Sequence, residues 1–203
     1  MSSDGPAHSA PTVLLVGGSP RRRGNSEHLL EACGNGVEAE GGQVVRLLVA
    51  EAGIEPCRGC NACSKTGKCV LTDPMCEVYP VLDAADAVVI STPVYFATVP
   101  AVLKALYDRC QPYWARRHVL HHERSSQRPG ALILVRGGGD PFGGEAAITP
   151  TRSVFGVLGV DCLEVLDIEG PDDRDDVLQT PDSLEQAEEM GRRMVREVRS
   201  SAG

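Results

Sequence analysis

Thr12-Val13-Leu14-Leu15-Val16-Gly17-Gly18-Ser19-Pro20-Arg21-Arg22-Arg23-Gly24-Asn25-Ser26 is the stretch on which the fold turns. Thr12 to Val16 reads as a buried strand, because it is short, aliphatic and nearly without polar interruption. Asn25 or Ser26 caps a helix that runs to about Val37, before Gly41-Gly42 breaks it. Between strand and helix, two glycines allow close backbone approach, while Ser19, Asn25 and Ser26 supply side-chain donors and the arginines add charge. The start of the helix adds free N–H groups and a positive dipole end, so the loop is suited to an anion. It lacks the Gly-Lys-Ser/Thr ending of a Walker A loop and the spacing of a Gly-x-Gly-x-x-Gly dinucleotide site. A phosphomonoester held by hydroxyls and amides fits it better.

The same alternation continues outward from this unit. Val44 to Val49 and Ala87 to Ile90 are strands nearly continuous in apolar residues, and Leu132 to Val135 and Cys162 to Ile168 complete a set of five. Strands of that kind are covered by helices on both faces. Val99, Val102, Leu103 and Leu106 keep one-faced helical spacing behind Pro100, and Leu184, Ala187, Met190, Met194 and Val198 mark a closing helix. Arg116 to Arg128 reads as a polar excursion and Pro171 to Asp176 as a solvated acidic loop. The pattern is α/β, a doubly wound parallel sheet whose ligand sits beyond the carboxyl ends of its strands. Residues 1–11 are expected to be a disordered segment and 12–203 a single domain.

Two further strand-end loops join the first. Ser91-Thr92-Pro93-Val94-Tyr95-Phe96 places an aromatic pair where a flat heteroaromatic ring would lie, and Arg136-Gly137-Gly138-Gly139-Asp140 offers a bare backbone. Trp114 and the residues after it are placed to roof a substrate pocket.

Composition narrows the functional classes. The 203 residues are 42% hydrophobic and 24% charged, as in an ordinary globular protein, and 28 acidic against 20 basic side chains give a net charge of -8. That balance argues against a general binder of nucleic-acid backbones. Residues 1–11 are polar and small, with no apolar core for a secretion signal, and nothing approaches the length of a membrane span. A cytoplasmic location follows as the expectation, and in a reducing compartment clustered cysteines serve metal or redox chemistry rather than disulfides.

Cysteines number eight, and Cys57, Cys60, Cys63 and Cys69 stand in a C-x2-C-x2-C-x5-C run. The first three match a ferredoxin-type run, and the longer last spacer gives Cys69 slack to reach the same centre. Gly59 and Gly67 sit where the chain must wrap tightly, and Arg58, Lys65 and Lys68 face no carboxylate within the run. Cations beside four thiolates favour a metal site, and the donors suit an iron-sulfur cluster or zinc, while thiols without metal remain open. Cys76 lies in the first turn of a helix signalled by Asp73 and Pro74, and is expected to pack. Cys33, Cys110 and Cys162 read as small buried hydrophobes, and His118, His121 and His122 as solvated histidines.

The runs GGSPRRRGNSEHLL and ISTPVYFATVPAVLKALYDR resemble the flavodoxin-like NAD(P)H-dependent FMN reductase superfamily, from Thr12 to about Leu158. The complete cysteine run beside them resembles the iron-sulfur flavoproteins within it. This resemblance implies a five-stranded parallel sheet of order 2-1-3-4-5 with the cysteine loop, residues 57–69, after strand 2. It implies FMN, its phosphate held by Ser19, Arg21, Asn25 and Ser26 and its ring system flanked by Pro93, Val94, Tyr95, Phe96, Gly137, Gly138 and Gly139. It further implies a [4Fe-4S] cluster on Cys57, Cys60, Cys63 and Cys69. The resulting expectation is a flavin-dependent oxidoreductase or electron-transfer protein with both centres on one sheet edge. NAD(P)H is the implied donor, a homodimer or homotetramer the implied assembly, and a small molecule or protein the redox partner, with no nucleic acid and no membrane. The alternatives are an FMN or quinone reductase without a cluster and a flavodoxin-like module with a structural zinc site built on the four cysteines.

Overall fold

The computed structural model describes residues 10–122, 127–139 and 142–201. Of the segment expected to be disordered, residues 1–9 lie outside the described residues, as does Asp140. Pro11 is buried, and its carbonyl accepts the Gln43 N–H at 2.8 Å.

The strands are β1 (Thr12–Gly17), β2 (Gln43–Leu48), β3 (Ala87–Pro93), β4 (Arg128–Gly137) and β5 (Val160–Gly170). All pairs are parallel and the order is β2-β1-β3-β4-β5. The period-2 pleat divides the core cleanly. Val13, Leu15, Val89, Ala131, Ile133 and Val135 point to one face, and Leu14, Val16, Val88, Ile90, Leu132 and Leu134 to the other. The first face is covered by α1 (Asn25–Ala39) and α7 (Pro181–Ser201). The second is covered by α3 (Met75–Ala84), α4 (Ala101–Asp108), α5 (Gln111–His118) and α6 (Glu145–Leu158). Burial on both faces explains why the strands read as unbroken aliphatic runs.

The structure differs from the sequence reading in several places, the first being the start of α1, where Gly24 and not Asn25 or Ser26 is the N-cap and no side chain caps the helix. β2 is the edge strand and half-exposed, with Val45 36% exposed, so its apolar residues are not covered on both sides. The stretch after Pro100 is two helices, since α4 ends at Asp108 and α5 starts after Cys110. The polar excursion therefore begins inside α5, whose last turn carries Arg116, Arg117 and His118, where cations suit the helix dipole. Residues 123–126 of that excursion lie outside the described residues. Pro171 to Asp176 is not a free solvated loop, because Pro171 is buried and the segment is bonded to the start of α1.

No helix among the described residues is long and apolar enough to cross a membrane. The contact between α1 and α7 is unusually close. A Cβ placed on Gly36 would overlap the Glu188 carbonyl, and one on Gly191 would overlap the Cys33 carbonyl. Two glycines thus let the helices meet backbone to backbone.

Candidate functional site: an anion cleft and a cysteine-lined cavity

The first cleft opens at the carboxyl ends of β1, β3 and β4. It is lined by Ser19, Arg21, Gly24, Asn25 and Ser26 from the first loop, by Pro93, Val94 and Tyr95 from the third-strand loop, and by Gly137 after β4. Local geometry prepares the first loop for an anion. Gly18 N–H is bonded to Ser91 O at 2.8 Å, which pins the loop to β3. Ser19 Oγ accepts the Arg21 N–H at 3.0 Å, leaving its own hydroxyl proton free to donate. The Gly24 carbonyl accepts from Glu27 and His28, so the earlier N–H groups of α1 have no partner within the helix and face the loop. Hydroxyls, amides, a dipole end and Arg21 form a donor set suited to a phosphate monoester.

Some expected ring neighbours stand elsewhere. Phe96, Gly138 and Gly139 do not line the cleft, and Phe96 is fully exposed. Tyr95 and Thr98 exchange backbone hydrogen bonds of 2.8 and 3.1 Å across a two-residue turn. Its central residues Phe96 and Ala97 have φ of 49° and 61°, and the tight turn directs the Phe96 ring outward. The Asn25 amide is occupied at both ends, donating to Asp173 O at 2.7 Å and accepting from Val177 N at 3.1 Å. His28 adds a 2.9 Å contact to Asp175. These bonds bring Pro171, Asp172 and Arg174 to the cleft wall, which sequence reasoning missed. The signal was Asn25 itself, a buried amide whose partners lie 148 and 152 residues away. The cleft encloses about 80 Å³, well under the ~300 Å³ and more of a typical cofactor pocket.

The second site is built from the cysteine run. Cys57, Cys60, Cys63 and Cys69 all line a cavity of about 370 Å³, with Arg58, Gly59, Asn61, Val70 and Leu71. Gly59 and Gly67 adopt φ of 62° and 68°, the left-handed conformations that the tight wrap required. Gly67 closes α2 (Cys63–Thr66), a single turn, and its carbonyl accepts Arg116 Nε–H at 2.8 Å. Arg116 also lies 5.0 Å from the centroid of the Tyr113 ring, so α5 tethers the loop.

The Cys63 thiol is pushed above its usual range, first by burial and then by the like charges of Cys57, Cys69 and Cys60. The sulfurs therefore feel one another. Among the described residues no three His, Cys, Asp or Glu side chains close on a single ion. The sulfurs line a space larger than one ion, and four soft thiolate donors around it suit a cluster.

The far wall of this cavity is Asp108, Arg109, Gln111 and Pro112, the junction of α4 and α5. Arg109 was not legible as a site residue. It is 1% exposed, forks onto Asp73 with two bonds of 2.7 Å, and donates to Glu55 O at 2.9 Å. Its hydrogen bonds, and to a lesser extent its charge, hold Asp73 below the ordinary carboxylate range. Of the cations in the cysteine run, Arg58 is paired with Glu55 at 2.8 Å, so its charge is partly cancelled.

The cysteine cavity shares no lining residue with the anion cleft, and the helix junction that walls it lies on the α3–α6 face. The two sites are thus built from separate sets of residues. Chain topology places the run after β2, and the Arg116 bond to the Gly67 carbonyl holds it against α5.

The remaining expectations divide. Cys33 and Cys110 are buried and burial pushes both thiols up to about 12, whereas Cys162 is half-buried. Cys76 does not pack. It is exposed, with its thiol donating to Leu71 O at 3.3 Å, because it stands on the outer side of a first turn whose inner side is taken by buried Met75 and Val78. His118, His121 and His122 are exposed. Trp114 does not roof the cleft but stacks near His118, ring centroids 5.5 Å apart, beside a shallow hollow of about 180 Å³.

Comparison with known proteins rests on this geometry. Residues 11–167 match the model of the NADPH-dependent FMN reductase family. The chain belongs to that family. An iron-sulfur flavoprotein of Methanocaldococcus jannaschii is 37% identical over 100 residues, 49% of this chain and 52% of that protein. An iron-sulfur flavoprotein of Archaeoglobus fulgidus is 34% identical over 149 residues, 73% of each chain. This chain spans about half the length of several of the curated relatives it matches. Among solved structures, a flavodoxin from the domain Archaea superposes with a TM-score of 0.57 at 15% identity, covering 93% of this chain and 99% of that one. The fold is flavodoxin-like, with the cysteine run after β2.

Proposed function

We propose that this member of the FMN reductase family is an iron-sulfur flavoprotein, a flavin-dependent oxidoreductase that exchanges electrons between FMN and a [4Fe-4S] cluster. The observation that carries the reading is the cavity of about 370 Å³ with all four run cysteines in its wall. Bound FMN takes two electrons as hydride and gives them up singly, and a cluster passes one at a time. The chain's part is to bind and orient. Ser19, Ser26, Arg21 and the amides opening α1 hold the phosphate, with Asn25 bracing the loop that carries Arg174. Pro93, Val94, Tyr95 and Gly137 border the ring system. Cys57, Cys60, Cys63 and Cys69 ligate the cluster, and Arg116 keeps their loop closed.

The small cleft, about 80 Å³, supports an assembly in which a second copy completes the flavin site, a homodimer or homotetramer. NAD(P)H is the proposed donor and a small molecule or redox protein the acceptor. Anaerobic purification with visible spectra and metal analysis tests the reading. The expected result is FMN together with about four irons and sulfide per chain, with bleaching on reduction. Zinc, or flavin without metal, would overturn it. Light scattering of the loaded protein is expected to give twice or four times the chain mass, and a monomer would remove the shared-site part.

A further inference from the structure

We propose that Arg109 is the buried cation that sets the reduction potential of a cluster held by Cys57, Cys60, Cys63 and Cys69, acting on it through its charge and its uncommitted Nε–H. The inference rests on the cluster reading above and assigns that site a residue outside the cysteine run.

The observations start from cost. A guanidinium at 1% exposure needs full compensation, and Asp73 and the Glu55 carbonyl supply three bonds to its two terminal nitrogens. Nε has no partner at all, and it is the one buried side-chain nitrogen or oxygen so placed among the described residues. Leaving such a donor unmade is costly, and native proteins rarely do so without a reason. If Arg109 served only to hold Asp73 and the 55–73 segment, the side-on arrangement with Nε would complete the fork just as well, and nothing would keep that donor free.

The surroundings supply the reason. Arg109 is part of the wall of the cysteine cavity, and its charge is within electrostatic reach of Cys69. Its backbone is fixed by Tyr79, whose hydroxyl donates to Arg109 O at 2.8 Å. The cation is therefore held at a set place in the wall of the cysteine cavity, poorly solvated, where charge acts strongly. Four thiolates make the centre anionic, and uptake of one electron from the reduced flavin breaks no bond and adds one negative charge. A fixed positive charge favours the reduced form, and an N–H donated to ligand sulfur does the same. Asp73, bonded to the guanidinium, carries the opposite charge, so the two residues pull the potential in opposite directions.

The test is a redox titration of the anaerobically loaded protein, following cluster and flavin separately, with iron and sulfide measured on each preparation. Arg109→Gln is expected to lower the cluster midpoint so that the reduced-to-oxidised ratio at the wild-type midpoint falls at least tenfold, about 59 mV for one electron. Asp73→Asn keeps the Arg109 bond to Glu55 and is expected to raise the midpoint. Arg109→Lys, which keeps the charge, is expected to stay closer to wild type than Arg109→Gln. The flavin midpoint is expected to hold in all three, because the two sites share no residue. A loaded Arg109→Gln protein with an unchanged cluster midpoint would overturn the inference and leave the cluster reading standing. Should Arg109→Gln not fold, Asp73→Asn decides: an upward shift supports the inference and no shift overturns it. A wild-type protein that binds no cluster defeats the earlier reading and this one with it.

Discussion

At the scale of the residue, the Asp73–Arg109 pair shows how burial turns an ion pair into a condition of folding. Both side chains are almost fully enclosed, at 6% and 1% exposure, so losing either charge strands the other. Asp73 is held below its ordinary range in the folded protein, chiefly by its hydrogen bonds to Arg109. The unfolded chain therefore binds the proton more readily, and the pair's contribution is complete above about pH 4 and lost as pH falls through the lower folded value. In urea unfolding, Asp73→Asn is expected to be about 3 kcal/mol less stable than wild type at pH 7, with the gap narrowing in acid. A gap that stays constant to about pH 3, below the ordinary carboxylate value, would show that the carboxylate charge is not what matters. Ala97 gives a second test. Its φ of 61° is a conformation that an L side chain resists, and Ala97→Gly is expected to raise stability by about 1 kcal/mol in thermal unfolding. Neither residue announces itself in the sequence, since Asp73 reads as part of a helix start and Ala97 as ordinary loop.

At the scale of the element, the periodicities read from sequence correspond to real faces. The strands alternate between two cores, and the apolar stripe of Ala187, Met190 and Met194 does face the sheet. What periodicity could not show is how near α7 comes to α1, because the residues that decide it have no side chain. Gly36→Ala or Gly191→Ala would push a methyl into a carbonyl of the opposite helix, where no rotamer change relieves it. Each is expected to lower thermal stability by about 3 kcal/mol or to prevent soluble expression, whereas Gly156→Ala, with open space around it, is expected to be tolerated. Similar melting temperatures for all three would contradict the close packing. Likewise the split between α4 and α5 hides in a sequence of helix-forming residues, yet that break creates the wall of the cysteine cavity.

At the scale of the whole molecule, the eight cysteines fall into distinct environments. Cys33 and Cys110 are enclosed and their thiols stay protonated at neutral pH, while Cys57, Cys60 and Cys76 are exposed and Cys63 and Cys69 partly so. With metal removed by chelation, brief alkylation near pH 8, about the ordinary thiol range, followed by peptide mass analysis is expected to label the run cysteines and Cys76 but spare Cys33 and Cys110. In the loaded protein the four run cysteines are expected to be protected while Cys76 is still labelled. Labelling of Cys57, Cys60, Cys63 and Cys69 that ignores metal content would argue against their being ligands.

The strand set, the glycine- and serine-bearing loop before α1 and the identity of the four clustered thiols were legible in the chain, because each is written in contiguous residues whose spacing and conformational needs are local. Only the tertiary structure decided where those features stand relative to one another. Asn25 meets the loop at Asp173, Arg109 meets Asp73, and the cysteine run is tied to α5 through Arg116. Those contacts join residues far apart in the chain, and burial and hydrogen bonding between elements, which leave no periodic mark in the sequence, are what select them.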